Sequence, residues 1–348
     1  MKKAGLLLTL VMIAALAIPV LSPAAKAQDD PFRVAVVTPS TSNDLAFSQS
    51  IVDALTAIQE ERGEDNFQFD LSENQFVVED AATALRDYAN EGYDLIIAHG
   101  SQYGSSLAEI APDFPDTAFA HGTTVDTFED EGITNVYAYE ARSEEGAFVQ
   151  GAMAAMLSET GVLGIIGPIE TGDAKLYVDG FHAGVLWQNP DATVQINYIQ
   201  SFSDLALAAA AADAMLAEDA DILTGTAQMV PGAVNKAKEA GALWFGTQAN
   251  QTSLAPEIVV SSQVYNWTVV LNPIIDDVLA GEIAGEAFAI TLENEGLVIE
   301  FNEDFELPEE VKAAGEELIQ AIVDGDISFE VEEDGTLVVV EAEAEAAG

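Results

Sequence analysis

Residues 33–61 read RVAVVTPSTSNDLAFSQSIVDALTAIQEE, and this stretch points to the fold class. Arg33 to Thr38 is a short β-branched run typical of a buried strand, and a polar loop from Pro39 to Asp44 follows it. From Ala46 to Glu61, apolar side chains recur at helical spacing. The stretch therefore predicts one strand, loop and helix unit of an α/β protein.

The same unit recurs along the chain. The predicted strands are 67–71, 93–98, 117–121, 135–139, 162–166, 193–199, 221–223, 243–246 and 258–263, and the predicted helices are 78–91, 105–111, 144–158, 174–188, 204–217, 232–240 and 267–280. Strands that alternate with helices predict parallel sheets flanked by helices. So many strands rarely share one sheet, so we expect two lobes, with a first boundary between 139 and 143.

The C-terminal part has a different pattern. A helix is predicted over 309–324, and strands over 327–331 and 336–340 flank Asp334-Gly335, a dipeptide favoured in hairpin turns. Residues 341–348 form a short acidic, Ala-rich tail that we expect to be disordered.

Composition excludes several classes of protein. The 348 residues include 11 Lys and Arg against 60 Asp and Glu, for a net charge of -49. A surface of this charge repels nucleic acid and anionic lipid, so neither is an expected partner. The hydrophobic content of 49% predicts a chain that folds. Because there is no Cys, disulfides, thiolate zinc sites and a lipid-anchored Cys are excluded.

The N-terminus is typical of a signal peptide spanning residues 1–27. Lys2 and Lys3 precede an apolar run from 4 to 21, and Ala25-Lys26-Ala27 supplies the small-x-small cleavage pattern. The alternative is a membrane anchor that is not cleaved. We expect an exported, unlipidated chain that begins at Gln28 and works in the periplasm or outside the cell.

Catalytic signatures are mostly missing from the chain. None of its three histidines has the His-Glu-x-x-His spacing, and no Gly-x-Ser-x-Gly elbow is present. Residues 167–172 resemble the start of a phosphate loop, but Asp173-Ala174 follow where Lys and Ser or Thr are needed. Since a carboxylate there would repel phosphate, we reject that interpretation. We expect no metal, no cofactor and no enzymatic activity.

Polar loops follow several predicted strands. They are Ser40–Gln49 with Asn43, Asp44, Phe47 and Gln49, then His99–Gln102, His121–Thr124 and Thr224–Gln228. In open α/β sheets, ligands bind beyond the carboxyl ends of the strands. Convergent hydroxyl and amide groups in a largely apolar cleft suit a small polar ligand.

Each of these residues also has a purely structural interpretation. Asp44 can simply cap the following helix. Phe47 shares helical spacing with Ile51 and Leu55, which is typical of a core position. His99 and His121 can be core imidazoles, and Trp267 at a helix start can be a packing residue. These alternatives stay open on the sequence.

Several segments resemble the basic membrane protein (BMP) family of substrate-binding proteins of ABC transporters. They are 34–38 with 44–50, 91–96, 144–151, 180–184 with Asn189-Pro190, and 277–281. The resemblance covers about Arg33 to Phe301. It implies a two-lobed type I periplasmic-binding fold in which three crossovers form a hinge, and many family members bind purine nucleosides.

The resemblance also implies domain boundaries. Lobe 1 would contain 28–141 plus 248–282, and lobe 2 would contain 142–247 plus 283–340.

By position, Phe47 is similar to the aromatic that stacks on a base. Asp44 and Gln49 resemble polar neighbours of the ligand, and Gly100 and Ser101 match a loop that lines the pocket. The segment from Gln248 to Asn250 returns to the first lobe, and Tyr265-Asn-Trp267 resembles an aromatic found in a subset of the family.

Two positions depart from the family. Many nucleoside-binding members have an Asp for the ribose where this chain reads Ala120–Thr124, and Gln248 stands near another expected Asp. A free base or another heterocycle is therefore a candidate ligand beside a nucleoside.

The sequence thus predicts a monomeric solute-binding protein of an ABC importer, which delivers its ligand to a membrane permease. The expected ligand-binding residues are Asn43, Asp44, Phe47, Gln49, Gly100, Ser101, Gln102, His121, Gln228, Gln248, Asn250 and Trp267. The alternatives are a ligand-sensing receptor with a signalling partner and a nucleoside hydrolase that uses Asp44.

Overall fold

The structure is a computed structural model that describes residues 30–283, 285–332 and 334–342. The predicted signal peptide and residues 343–348 of the predicted tail lie outside the described residues. Glu341, the first residue of that tail, is the last residue of a strand. The boundary at 341 is therefore too early.

The helices and strands alternate along most of the described chain. The strands are β1 (Phe32–Val37), β2 (Phe67–Ser72), β3 (Leu95–Ala98), β4 (Ala118–Gly122), β5 (Val136–Ala141), β6 (Val162–Gly167), β7 (Thr193–Tyr198), β8 (Ile222–Gly225), β9 (Leu243–Gln248), β10 (Val259–Tyr265), β11 (Ala287–Ile290), β12 (Leu297–Phe301), β13 (Ile327–Val331) and β14 (Leu337–Glu341). The helices are α1 (Phe47–Arg62), α2 (Val78–Asn90), α3 (Gly104–Ile110), α4 (Ser143–Leu157), α5 (Gly172–Gln188), α6 (Leu205–Ala217), α7 (Val230–Ala240), α8 (Thr268–Ala280) and α9 (Glu309–Val323).

The strands form two six-stranded sheets and one hairpin. The first sheet has the order β11-β5-β4-β3-β1-β2, and the second has the order β12-β10-β9-β8-β6-β7. All pairs in these two sheets are parallel except β10 with β12. The predicted C-terminal hairpin is confirmed as the antiparallel pair β13–β14. We call the part built on the first sheet lobe 1 and the part built on the second sheet lobe 2.

The chain passes between the lobes three times. The connections are 142 between β5 and α4, 266–267 between β10 and α8, and 291–296 between β11 and β12. The two-lobed α/β fold with three crossovers is therefore confirmed.

The later lobe boundaries are wrong. Residues 248–282 were expected in lobe 1, but β10 pairs with β9 in the second sheet. Residues 283–340 were expected in lobe 2, but β11 pairs with β5 in the first sheet. Strand pairing depends on distant contacts, so the local pattern of a strand does not indicate which sheet it joins.

The family-like segments of α4 and α5 have a packing explanation. A Cβ added at Gly184 of α5 would lie 2.0 Å from the carbonyl oxygen of Phe148 in α4. Only glycine permits this approach of the two backbones. Within the described part of the chain, no helix has both the length and the apolar content to cross a membrane.

Candidate functional site

A cleft between the two lobes holds about 380 Å³ of empty space, a volume that includes the open solvent at its mouth. Lobe 1 lines it with Pro39, Phe47, Gly100, Ser101, Gln102 and Thr123, and lobe 2 lines it with Asp173, Ala174, Phe202, Ala227, Gln228 and Gln248. Most of these residues follow the carboxyl ends of parallel strands. This is where open α/β sheets bind ligands.

Three lining residues have unusual backbone geometry. Thr123 has φ of 68°, Ala227 has φ of 77° and Gln248 has φ of 73°. Non-glycine residues rarely adopt positive φ, least of all a β-branched Thr. Such conformations are often retained at functional sites, where surrounding contacts hold them.

Phe47 forms a rigid wall on the lobe 1 side. Its ring stacks on the imidazole of His99, with centroids 3.8 Å apart and planes 7° apart. His99 Nδ1 lies 2.8 Å from the Tyr139 hydroxyl, and Nε2 lies 3.1 Å from the Phe47 carbonyl oxygen. Burial lowers the pKa of His99 to about 3, so this ring is neutral at physiological pH. Phe47 is also held by the hydrophobic core of lobe 1, because the residue is only 7% exposed.

The lobe 2 side contributes an aromatic ring and a carboxylate. Phe202 lies in the loop between β7 and α6 and is partly exposed. Asp173 is the second residue of α5, after Gly172, whose φ of 58° turns the chain into the helix. Burial raises the pKa of Asp173 to about 7, and the negative charge of Glu140 adds to that shift.

Two glutamines complete the lobe 2 wall. Gln248 Oε1 accepts a hydrogen bond from the Ala227 backbone N–H at 3.2 Å. This bond supports the strained Ala227 and thereby positions its neighbour Gln228. The side-chain oxygen of Gln228 is buried with no hydrogen-bond partner among the described residues.

Six of the twelve predicted ligand residues line this cleft, namely Phe47, Gly100, Ser101, Gln102, Gln228 and Gln248. Asp44 is not among the lining residues, and its contacts are those expected of a helix cap. Its carboxylate accepts hydrogen bonds from the backbone N–H groups of Ala46, Ser48 and Gln49 at 2.9 to 3.1 Å. It therefore satisfies the start of α1 and does not line the cleft.

Three further predicted residues lie elsewhere. Asn43 is exposed and does not line the cleft. Gln49 and Asn250 line a separate open groove between the lobes. There the Gln49 amide donates to Asp53 at 3.3 Å, and the Asn250 amide donates to Glu300 at 2.6 Å. Both side chains point away from the cleft because these carboxylates pair with them.

The remaining two predicted residues are buried. Trp267 is fully buried, and its indole N–H donates to Ser50 Oγ at 2.8 Å. His121 is 4% exposed and stacks on Phe128 with ring centroids 5.6 Å apart. Burial lowers the pKa of His121 to about 4. Neither residue lines the cleft. Trp267 fits its packing interpretation, whereas both ring nitrogens of His121 are buried without a hydrogen-bond partner among the described residues.

The main lining residues that sequence reasoning missed are Asp173 and Phe202. Asp173 was noted only as the residue that rules out a phosphate loop, and Phe202 was not considered. Asp173 lies at the start of α5, which follows β6, and Phe202 lies in the loop after β7, at the same carboxyl edge as the loops that were considered. Applying the strand-end rule to every strand would have found them.

The sequence of this chain matches a family model and known relatives. Residues 32–331 match the family model of ABC transporter substrate-binding proteins that are PnrA-like. A purine-binding protein of Brucella abortus is 30% identical over 188 residues, which are 54% of this chain. The match spans only about half of that relative, 52% of its length.

Solved structures share the fold. A solute-binding protein of an ABC transporter system from Aeropyrum pernix has a TM-score of 0.74 at 23% identity, covering 87% of this chain and 94% of that one. A glucose-galactose binding protein from Geobacillus stearothermophilus has a TM-score of 0.57 at 15% identity, covering 80% and 99%. With the family model matched over most of its length, the chain belongs to the PnrA-like family of ABC transporter substrate-binding proteins.

Proposed function

We propose that this chain captures a flat, polar heterocycle, a purine base or nucleoside, between its lobes and delivers it to the permease of an ABC importer. The observation that carries the proposal is the interlobe cleft, to which each lobe contributes one phenyl ring, Phe47 and Phe202. Aromatic rings stack favourably on planar ligands. The purine-binding relative supports the same ligand class.

Ligand contacts to both lobes explain how binding would signal to a permease. A ligand that touches both walls stabilises the closed arrangement more than an open one, and so shifts the population towards it. The permease then recognises the closed form. Delivery outside the cytoplasm fits the signal-peptide pattern of residues 1–27.

A thermal-shift screen tests the ligand class. The purified chain is heated with adenine, adenosine, guanosine, glucose, galactose and amino acids. A ligand at 100 times its Kd adds about 2.7 kcal/mol to the free energy of unfolding, which raises the Tm visibly. We expect a purine or its nucleoside to give the largest rise.

Matched variants locate the binding site. Phe202→Ala should abolish the ligand-induced rise in Tm, whereas Phe76→Ala, which removes a 45% exposed ring outside the cleft, should keep it. The proposal fails if no compound raises the Tm, or if the rise survives in Phe202→Ala. A rise with glucose or galactose alone would keep solute binding but replace the purine class. Release of free base from adenosine would indicate a hydrolase.

A further inference from the structure

The cleft contains polar atoms that the protein leaves unpaired. Asp173 Oδ2, Thr123 Oγ1 and Gln228 Oε1 are buried there and have no hydrogen-bond partner among the described residues. A buried polar atom without a partner is costly, so such atoms are normally paired. When Asp173 is ionised, two of the three are pure acceptors, which favours a ligand that supplies N–H or O–H donors.

Among the three residues, Asp173 would be stabilised most by a hydrogen-bonding or cationic partner. Its backbone is fixed, because Ser143 Oγ donates to the Asp173 carbonyl oxygen at 2.6 Å. Its surroundings are unfavourable for a negative charge, since burial raises its pKa and the charge of Glu140 raises it further. Nothing described in the protein neutralises this carboxylate.

The nearby cations are already paired elsewhere. Lys175, two residues further along, pairs with Asp179 and donates to the Gly335 carbonyl oxygen at 2.8 Å. Arg142 pairs with Glu144 at 2.6 Å. None of the twelve residues that line the cleft is Lys, Arg or His.

These charges exclude one ligand class and favour another. A phosphate or carboxylate in the cleft would meet Asp173 with no lining cation to balance it, so nucleotides and other anions are disfavoured. Phe47 and Phe202 line the cleft, and the faces of aromatic rings attract cations. The imidazole under Phe47 is neutral and does not oppose this attraction.

We propose that Asp173 is the specificity-determining residue of the cleft and selects a flat heterocycle that carries a positive charge. This inference rests on the proposed solute-binding function. A cationic ring would stack on the phenyl groups while its charge, or an N–H polarised by it, faces Asp173. The Thr123 and Gln228 oxygens then accept from further donors on the ligand.

Matched pairs of probes test the charge preference by calorimetric titration at pH 8. The pairs are quinoline with 1-methylquinolinium and nicotinamide with 1-methylnicotinamide, in which methylation gives the ring a permanent positive charge. We expect the cationic member of a pair to bind about 10- to 100-fold more tightly, as for a charge-assisted contact to a buried carboxylate. The affinity of the cation should also rise between pH 5.5 and pH 8 as Asp173 loses its proton.

Two variants assign the preference to one carboxylate. Asp173→Asn should abolish the difference between cationic and neutral probes, because it keeps the shape and removes the charge. Glu170→Gln removes an exposed carboxylate from the same loop and should keep the difference. The Tm without ligand shows that each variant is folded.

The outcomes separate this inference from the proposed function. Equal affinity for both members of each pair, tighter binding of adenosine monophosphate than of adenosine, or an unchanged preference in Asp173→Asn would overturn the charge selection. If Phe202→Ala abolished binding in those cases, solute capture in the cleft would stand. If no probe of any charge bound, both the function and the charge selection would fall.

Discussion

The two walls of the cleft are built differently. On the lobe 1 side, Phe47 is 7% exposed and stacks on His99, which is held in turn by Tyr139. On the lobe 2 side, Phe202 is a partly exposed loop residue, and Asp173 has a side-chain oxygen without a partner. The first wall belongs to the core of its lobe, whereas the second is attached to it through loops and a helix start.

Because the two walls are packed differently, we expect ligand specificity to change more readily in one wall than in the other. A residue that also stabilises a core is constrained by packing, so substitution there costs stability as well as affinity. Loop residues with unpaired polar atoms are free of that constraint. We therefore expect lobe 1 to provide a general stacking surface and lobe 2 to determine which ring is accepted.

Removing each of the two aromatic rings should change stability very differently, and Phe47→Ala should give the greatest loss among the variants considered. Phe47→Ala should lower the free energy of unfolding by about 3–5 kcal/mol, since it opens a cavity beside His99. Phe202→Ala should lower it by about 1 kcal/mol or less, because a partly exposed loop ring contributes little to the core. Urea denaturation of both variants without ligand measures the difference. Equal losses would contradict the distinction between the walls.

The pH dependence of folding stability should report on the carboxyl group of Asp173 in the lobe 2 wall. The pKa of Asp173 is raised from 3.8 to about 7 in the folded protein, so folding takes up a proton in this interval. Stability that Asp173 contributes by holding this proton is present at low pH and is lost as pH rises from about 4 to 7, by at most about 1.4 kcal/mol per pH unit. Asp173→Asn should remove this part of the loss.

The measurement is the Tm of the wild type and of Asp173→Asn at pH 4, 5.5, 7 and 8 without ligand. The variant should gain on the wild type as pH rises. Burial also raises the pKa of Glu145 to about 7, so only the difference between the two proteins reports on Asp173. If the Tm of the two proteins changed with pH in the same way, ionisation of Asp173 would not destabilise the folded chain.

The smallest expected effect concerns the start of α1. Asp44→Ala should lower the free energy of unfolding by about 1 kcal/mol, the usual loss for a helix cap, and should change the adenosine affinity by less than threefold. Asp53→Ala, on the exposed side of the same helix, serves as the control and should change neither quantity. A tenfold loss of adenosine affinity in Asp44→Ala, without such a loss in Asp53→Ala, would show that Asp44 contributes to ligand binding.

The sequence predicted the fold better than it predicted the site. The predicted helical segments 46–61 and 144–158 appear as α1 and α4 nearly at the expected bounds. The strands β11 and β12 were missed because they are short edge strands of four and five residues, with little local pattern. In the site, Phe47 and Gln228 were found because they belong to the polar segments, Ser40–Gln49 and Thr224–Gln228, that follow strands β1 and β8.

By itself, the sequence determined the alternation of strands and helices, the extreme acidity and the lack of Cys chemistry. These follow from local periodicity and composition, which need no knowledge of distant contacts. Only the tertiary structure decided which sheet β10 and β11 join and that Asp173 lines the cleft opposite lobe 1. The physical reason is that strand pairing, burial and the meeting of two lobes depend on contacts between residues far apart in the chain.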